Sequence, residues 1–509
     1  MKPCFLINLV GVILLTIFSG KAEAFTRYNL CARWELKYQD LEDSGDFLSV
    51  STGTSGKTYV SIPNVLYTLN QGSKVVRKGR LGPDGCVEVM NLTPGDPVTE
   101  YSFRVWYEVA DSEGRNVNIL HPDAETWETS AQIYRELKIQ VRSRETWVPT
   151  VTLDIPFSPF ARALPVMAQL LQRADILGWP PNGHITIAIN NPHKCHGTYS
   201  VGSSKFYLLQ HVCFFNKDKD TDLYDWDEVA ARKTSIAHEM GHAIANMRGG
   251  PRKGDYTGDL ADGARYNLPK DQTHCWKKGG SHAFCTREWV GAAAKEGFAH
   301  FIAAASFNER SSTNGVFNYY GSKRWDINDS KVDRFAPTPL TPDSNGQWGG
   351  YTDAYCRAPS KYKHLGSEGD WLNFFWGLWT QGGSNRFDIG EIEDVWADTP
   401  GEKNGVYCVP KTTLASPYGP TPEDGYESGW TCKDKNWTWK TASTHTEIRD
   451  FGIGYITVIV PDRSVRAKGH DRGKGYWAVE NTVKDKNENN PFKIQHFITT
   501  ALNSKVVYQ

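Results

Sequence analysis

A period-two alternation of apolar and polar residues dominates the first third of the chain. Tyr101, Phe103, Val105, Tyr107 and Val109 alternate with Ser102, Arg104, Trp106, Glu108 and Ala110, the signature of a half-buried strand. Asp111-Ser112-Glu113-Gly114 then reads as a turn, after which residues 117–120 can pair back. Shorter apolar runs occur at 30–38, 59–62, 87–90 and 133–141, and Gly82-Pro83-Asp84-Gly85 is a further turn signal. This spacing predicts an all-β, antiparallel sandwich over residues 25–155.

The period changes after Pro156. Leu164, Met167, Leu170 and Leu171 recur at helical intervals within 159–176, and Trp179-Pro180-Pro181-Asn182-Gly183 breaks that helix. Residues 184–190 and 205–215 read as strands, in an order of helix, strand, strand and helix that leaves an edge strand able to pair with an extended peptide. A long helix follows over 225–247. Asp225 is its expected cap, Glu228 completes a capping-box pattern, and Val229, Ile236, Met240, Ile244 and Met247 form its apolar stripe. Gly249-Gly250-Pro251 ends it. Residues 249–285 form a long irregular insertion, the kind of segment that is commonly functional.

A second strong helix spans 286–307, with Trp289, Ala292, Ala293, Glu296, His300, Ala303 and Phe307 on one face. Short helices are predicted at 367–381, capped by Ser367, and at 388–396, with 308–360 read as polar loops. Beyond about residue 400 the pattern weakens to one clear strand at 454–460 and a charged run at 484–490 that reads as a solvated loop. The expected fold class is α+β: the sandwich at 25–155, a mixed domain at 156–400 and an irregular region at 401–509.

Residues 1–24 change the compartment. Lys2, the apolar stretch 5–18 and Ala22-Glu23-Ala24 read as a secretory signal peptide cleaved near Ala24, so the mature chain is expected outside the cell or in a periplasm. Of ten cysteines, Cys4 falls in that leader, and the remaining nine lack any C-x-x-C spacing. Disulfides therefore fit better than a structural zinc site, with Cys31–Cys86, Cys195–Cys213 and Cys275–Cys285 as the near neighbours; nine is odd, so at least one thiol is unpaired or paired between chains. The cluster His193, Cys195, His196 reads as part of a disulfide-tied loop. A net charge of −1 with no basic run argues against a nucleic-acid partner, and no later apolar run is long enough to span a membrane. The 18 tryptophans read as core and loop packing in preference to carbohydrate stacking. Asn91, Asn328 and Asn436 begin sequons.

The chemistry is carried by His238-Glu239-Met240-Gly241-His242. Imidazoles at i and i+4 share a helix face and can grip one zinc ion, with the intervening glutamate placed to handle a proton. A third ligand must come from elsewhere. Glu296 lies on the apolar stripe of the following helix, where a carboxylate is costly unless a metal, an arginine or His300 answers it. Asp259, Asp262 and His274 in the insertion are alternatives.

These motifs resemble the zincin metallopeptidases, and Glu296-Gly297-Phe298-Ala299-His300 resembles the gluzincin arrangement with a downstream glutamate ligand. Ala245 and Arg248 stand where a metzincin would have Gly and a third His. Thr257-Gly258-Asp259-Leu260-Ala261-Asp262 is faintly similar to the aspzincin pattern. His300 occupies a place that many gluzincins give to aspartate, so support of the first histidine must differ here. The resemblance implies a zincin-like catalytic domain and a secreted zinc endopeptidase acting on proteins or peptides. His238, His242 and Glu296 would be ligands and Glu239 the general base. Tyr319, Tyr320, Tyr351, Tyr355 and His364 are candidates to stabilise the oxyanion. The alternatives are a secreted binding or surface protein on the same scaffold, and a zinc hydrolase of non-peptide substrates.

Overall fold

The structure is a computed structural model. It describes residues 26–36, 50–52, 56–92, 99–120, 133–141, 148–156, 158–189, 199–202, 209–214, 233–251, 287–310, 365–399, 406–410, 437–441, 444–450, 455–461, 476–504 and 506. Several expectations lie outside these residues: the signal peptide, the 193–196 cluster, the helix start at 225–232, the insertion beyond 251 and the loops of 311–364. The Cys195–Cys213 and Cys275–Cys285 pairings also involve residues outside them.

Among the described residues, ten strands precede the first helix: β1 (Thr26–Leu36), β2 (Val50–Thr52), β3 (Thr58–Ser61), β4 (Val65–Gln71), β5 (Lys74–Arg80), β6 (Cys86–Leu92), β7 (Thr99–Ala110), β8 (Asn116–Ile119), β9 (Tyr134–Val141) and β10 (Thr150–Ile155). The alternation that predicts β7 is met: Tyr101, Phe103, Val105, Tyr107 and Val109 are all buried. The chain turns at 111–114 and β8 pairs back with Val117 opposite Val109. In the turn at 82–85, Gly85 donates to the Gly82 carbonyl (2.9 Å), with Gly85 at φ +75° as a left-handed turn position requires. Directly after it Cys86 lies opposite Cys31 in the β1–β6 pair, and the two form a disulfide.

These strands make a five-stranded sheet, ordered β10-β1-β3-β2 with β6 also on β1, and part of an eight-stranded one. Two features depart from the expected antiparallel sandwich. β10 lies parallel to β1, from Asn29 opposite Thr150 to Trp34 opposite Ile155. The larger sheet also does not end at residue 155. After α1 (Pro159–Gln172), β11 (His184–Ile189) joins β8 in parallel, followed by β13 (Leu209–Phe214) and, antiparallel at the end, β12 (Tyr199–Gly202). Its order is β12-β13-β11-β8-β7-β4-β5, with β9 on β7. The long connection through β9, β10 and α1 is what lets a later strand return parallel, and period-two patterning carries no trace of strand direction.

The remaining elements are mainly helical: α2 (Lys233–Arg248), α3 (Val290–Phe307), α4 (Glu368–Thr380), α5 (Ile389–Asp398), α6 (Tyr476–Lys486) and α7 (Pro491–Asn503). Helix α3 starts later than the apolar stripe predicts. Residues 287–289 instead form β14 (Arg287–Trp289), paired with β15 (Leu365–Ser367). Two antiparallel strand pairs occur later among the described residues: β16 (Val406–Pro410) with β17 (Trp437–Thr441), and β18 (Thr444–Asp450) with β19 (Tyr455–Pro461).

Helix packing continues past residue 400. Phe497 of α7 meets Phe374 of α4 edge to face at 5.1 Å, and α6 packs on α5. The run 484–490 is correspondingly not a loop throughout. Its first three residues end α6, and Asn490 caps α7 by accepting from the Lys493 amide (3.0 Å). Trp34, Trp179, Trp371, Trp376, Trp379 and Trp396 are among the largest fully buried side chains, which places six tryptophans in the core. No helix among the described residues is long and apolar enough to cross a membrane.

One buried acid stands apart from the site. Glu393 of α5 is 0% exposed, and neither carboxylate oxygen has a hydrogen-bond partner among the described residues. Arg248, at the end of α2, approaches it only to 3.6 Å. Burial raises its pKa well above 4.5 despite that guanidinium, with Asp394 adding to the rise. A carboxyl with a raised folded-state pKa binds its proton more tightly folded than unfolded. Its burden on stability is therefore absent below about pH 4 and grows as pH rises toward the folded value. Glu393→Gln is expected to raise the melting temperature at pH 7 and to leave it nearly unchanged at pH 4, measured by thermal denaturation at both pH values.

Candidate metal centre

Helices α2 and α3 build the centre because both present small residues where they cross. The apolar stripe of α2 holds it in the core, with Ile236, Met240 and Ile244 at 0% exposure, and leaves His238 and His242 on the side facing α3. Gly241, between the two histidines, is the point of closest approach. A Cβ there would lie 2.8 Å from the Ala299 carbonyl oxygen and 3.0 Å from its Cα. Gly297 does the same on the other side of α3, where a Cβ would meet the Glu368 carbonyl oxygen at 2.7 Å. These two glycines let three helices stack tightly enough for their polar side chains to meet in the core. Gly241→Ala must separate α2 from α3 against backbone atoms. It is expected to lower stability by about 1–3 kcal/mol and to weaken metal binding in parallel, read by denaturant melts and zinc titration.

The imidazole Nε2 of His238 and that of His242 both point at one oxygen, Glu296 Oε2, at 3.2 and 2.9 Å. Glu296 is 1% exposed and His242 5%. The possible donor atoms of His238, His242 and Glu296 all lie within 4.8 Å of one another, the one such group of metal-capable side chains among the described residues. Four donors about zinc at roughly 2.0–2.1 Å sit about 3.3–3.4 Å apart, so each of the two nitrogen–oxygen pairs needs to open by only a few tenths of an ångström to fit an ion. Two imidazole nitrogens and a carboxylate form a donor set suited to zinc.

The electrostatics are compact. The second oxygen of Glu296 accepts from Lys295 Nζ at 2.9 Å. Lys295 therefore supplies the counter-charge that sequence reasoning assigned to a metal, an arginine or His300. The His238 pKa is lowered to about 3, first by burial, then by the neighbouring His300 and His242 rings, with Glu296 pulling the other way. His238 is accordingly neutral at pH 7. Glu239, next in the chain, is half-buried on α2.

A second acid–imidazole pair abuts the first. His300, one turn after Glu296 on α3, donates from Nε2 to Glu368 Oε2 at 3.0 Å. Its ring centroid is 4.2 Å from that of His238, closer than His238 is to His242 at 4.7 Å.

The centre thus gathers His238, His242 and Glu296, with Glu239 next to His238 in the chain. Asp259, Asp262 and His274 lie outside the described residues, as do Tyr319, Tyr320, Tyr351, Tyr355 and His364. Strands β12 and β13 pack against α2, and β12 is the last strand of its sheet among the described residues. Sequence reasoning missed Lys295 and Glu368. Lys295 adjoins Glu296, but a helix turns successive side chains about 100° apart, so adjacency alone gave no contact. Glu368 follows the expected cap Ser367 and reads only as a first-turn acid. Comparison with protein-family models, curated proteins and solved structures finds no match.

Proposed function

We propose that this chain is a secreted zinc metallopeptidase of zincin type that hydrolyses peptide bonds, with His238, His242 and Glu296 as ligands and Glu239 as general base. The observation that carries this reading is the convergence of two Nε2 atoms and a buried carboxylate on one point, in the helix-plus-helix arrangement that the His-Glu-x-x-His motif requires. Zinc supplies a Lewis acid there and acidifies water at that position. With the metal bound, Glu239 would be the residue to take up a proton from water there and pass it to the leaving amine. The outer edge of β12 offers an extended substrate main-chain hydrogen bonds alongside α2. The test is zinc content of the purified full-length chain, with casein hydrolysis before and after chelation and after zinc is restored. Near one zinc per chain, with turnover lost to chelator and regained with zinc, supports the reading. Absence of zinc, or hydrolysis indifferent to chelator, contradicts it.

A second reading is favoured by Lys295. Because that ammonium already answers Glu296, the cluster can persist as a hydrogen-bonded core in a binding or surface protein without turnover. A chain that folds identically with and without chelator and hydrolyses neither peptide, ester nor amide substrates is what that reading predicts.

A further inference from the structure

Resting on the zinc reading above, we infer that His300, held by Glu368, is a positioning residue that aims His238 at the metal through ring contact. Metal-ligating histidines ordinarily anchor their far nitrogen to an acceptor, which fixes both tautomer and ring direction. His238 lacks that anchor: its Nδ1 is buried and has no hydrogen-bond partner among the described residues. What fixes the ring instead is the imidazole of His300, 4.2 Å away centroid to centroid and tilted by 47°.

His300 can serve as a wall only if it is itself immobile. It donates from Nε2 to Glu368 Oε2 at 3.0 Å, and Glu368 is 1% exposed, so water hardly competes for that bond. Glu368 opens α4, where unpaired helix amides favour a carboxylate. The backbone at Glu368 is brought against α3 by Gly297, adjacent to the ligand Glu296. A chain of contacts therefore runs from the first turn of α4 through Glu368 and His300 to the face of His238. The i, i+4 spacing of Glu296 and His300 puts ligand and support on one face of α3.

The experiment measures zinc affinity of the full-length chain by chelator competition and the visible spectrum of the cobalt-substituted chain. His300→Ala is expected to weaken zinc binding roughly 10- to 100-fold and to shift the cobalt bands, with far-UV circular dichroism unchanged. His300→Phe restores a ring but not its bond to Glu368, and Glu368→Ala keeps the ring but releases it, so both are expected to lie between the parent chain and His300→Ala, and a His300→Ala/Glu368→Ala double variant should add little to His300→Ala. If His300→Ala does not fold, His300→Phe and Glu368→Ala are read in the same assays. Unchanged affinity and spectrum in His300→Ala or Glu368→Ala, or a His300→Phe chain as weak as His300→Ala, overturns the inference while the zinc reading stands. A wild-type chain that binds no zinc overturns the zinc reading itself, and this inference with it.

Discussion

Glu239→Gln is expected to keep its zinc and lose its hydrolysis. The substitution preserves size and leaves His238, His242 and Glu296 in place, so metal stoichiometry and the melting temperature should match the parent chain. An amide cannot take a proton from water as a carboxylate does, and removal of a positioned base costs roughly 10²- to 10⁴-fold in rate. On the proposed reading the effect should fall on kcat, with KM little changed, because Glu239 would act as the water attacks and would contribute little to holding the peptide. A steady-state assay on a peptide substrate, paired with zinc analysis of the same sample, checks both halves. Retained full turnover removes Glu239 from the role of base.

Glu296→Ala has a different expected signature, because it takes away the proposed third ligand and an internal acceptor together. Zinc should fall from about one per chain to near none, a larger loss than the roughly 10- to 100-fold that supporting residues cost. Without metal the variant is also expected to be less stable than the parent, because the His238 and His242 Nε2 atoms and Lys295 Nζ all use this carboxylate. Each buried donor left without a partner costs about 1–3 kcal/mol. Glu296→Gln retains an acceptor and should recover part of that stability while still binding zinc poorly. Chemical denaturation of the metal-free chains, beside their zinc content, separates the two losses. Stability and stoichiometry both unchanged in Glu296→Ala would show that the third donor lies elsewhere.

The site was legible in the sequence because its parts are periodic. His238 and His242 are one helical turn apart, and Glu296 lies on an apolar stripe where a carboxylate is anomalous. Both facts survive translation into three dimensions, and the two imidazoles do meet Glu296. The roles of Gly241 and Gly297 were half legible. Small residues foretell close helix packing, but which backbone each glycine admits depends on crossing geometry that the sequence does not state. Lys295 and Glu368 were not legible, since their contacts depend on a side chain curling back along its own helix and on a helix that begins 68 residues after His300.

The sheets divide along the same line. Alternation located β7, whose Tyr101, Phe103, Val105, Tyr107 and Val109 are buried, and the turn at 111–114 pointed to its return strand β8. Alternation gave no direction for β10 or β11, whose parallel pairing follows from the length of the connections. The helices α6 and α7 escaped notice because their charged ends mask a short apolar face. That face is supplied by Val479, Val483, Phe497 and Ala501, all buried.

X-ray absorption at the zinc edge of the full-length chain tests the central claim most directly. The account predicts one zinc per chain in a shell of about four nitrogen and oxygen donors at roughly 2.0–2.1 Å, with outer-shell scattering from two imidazoles. A sulfur donor at about 2.3 Å, scattering from a single imidazole, or a chain that retains no zinc would contradict it.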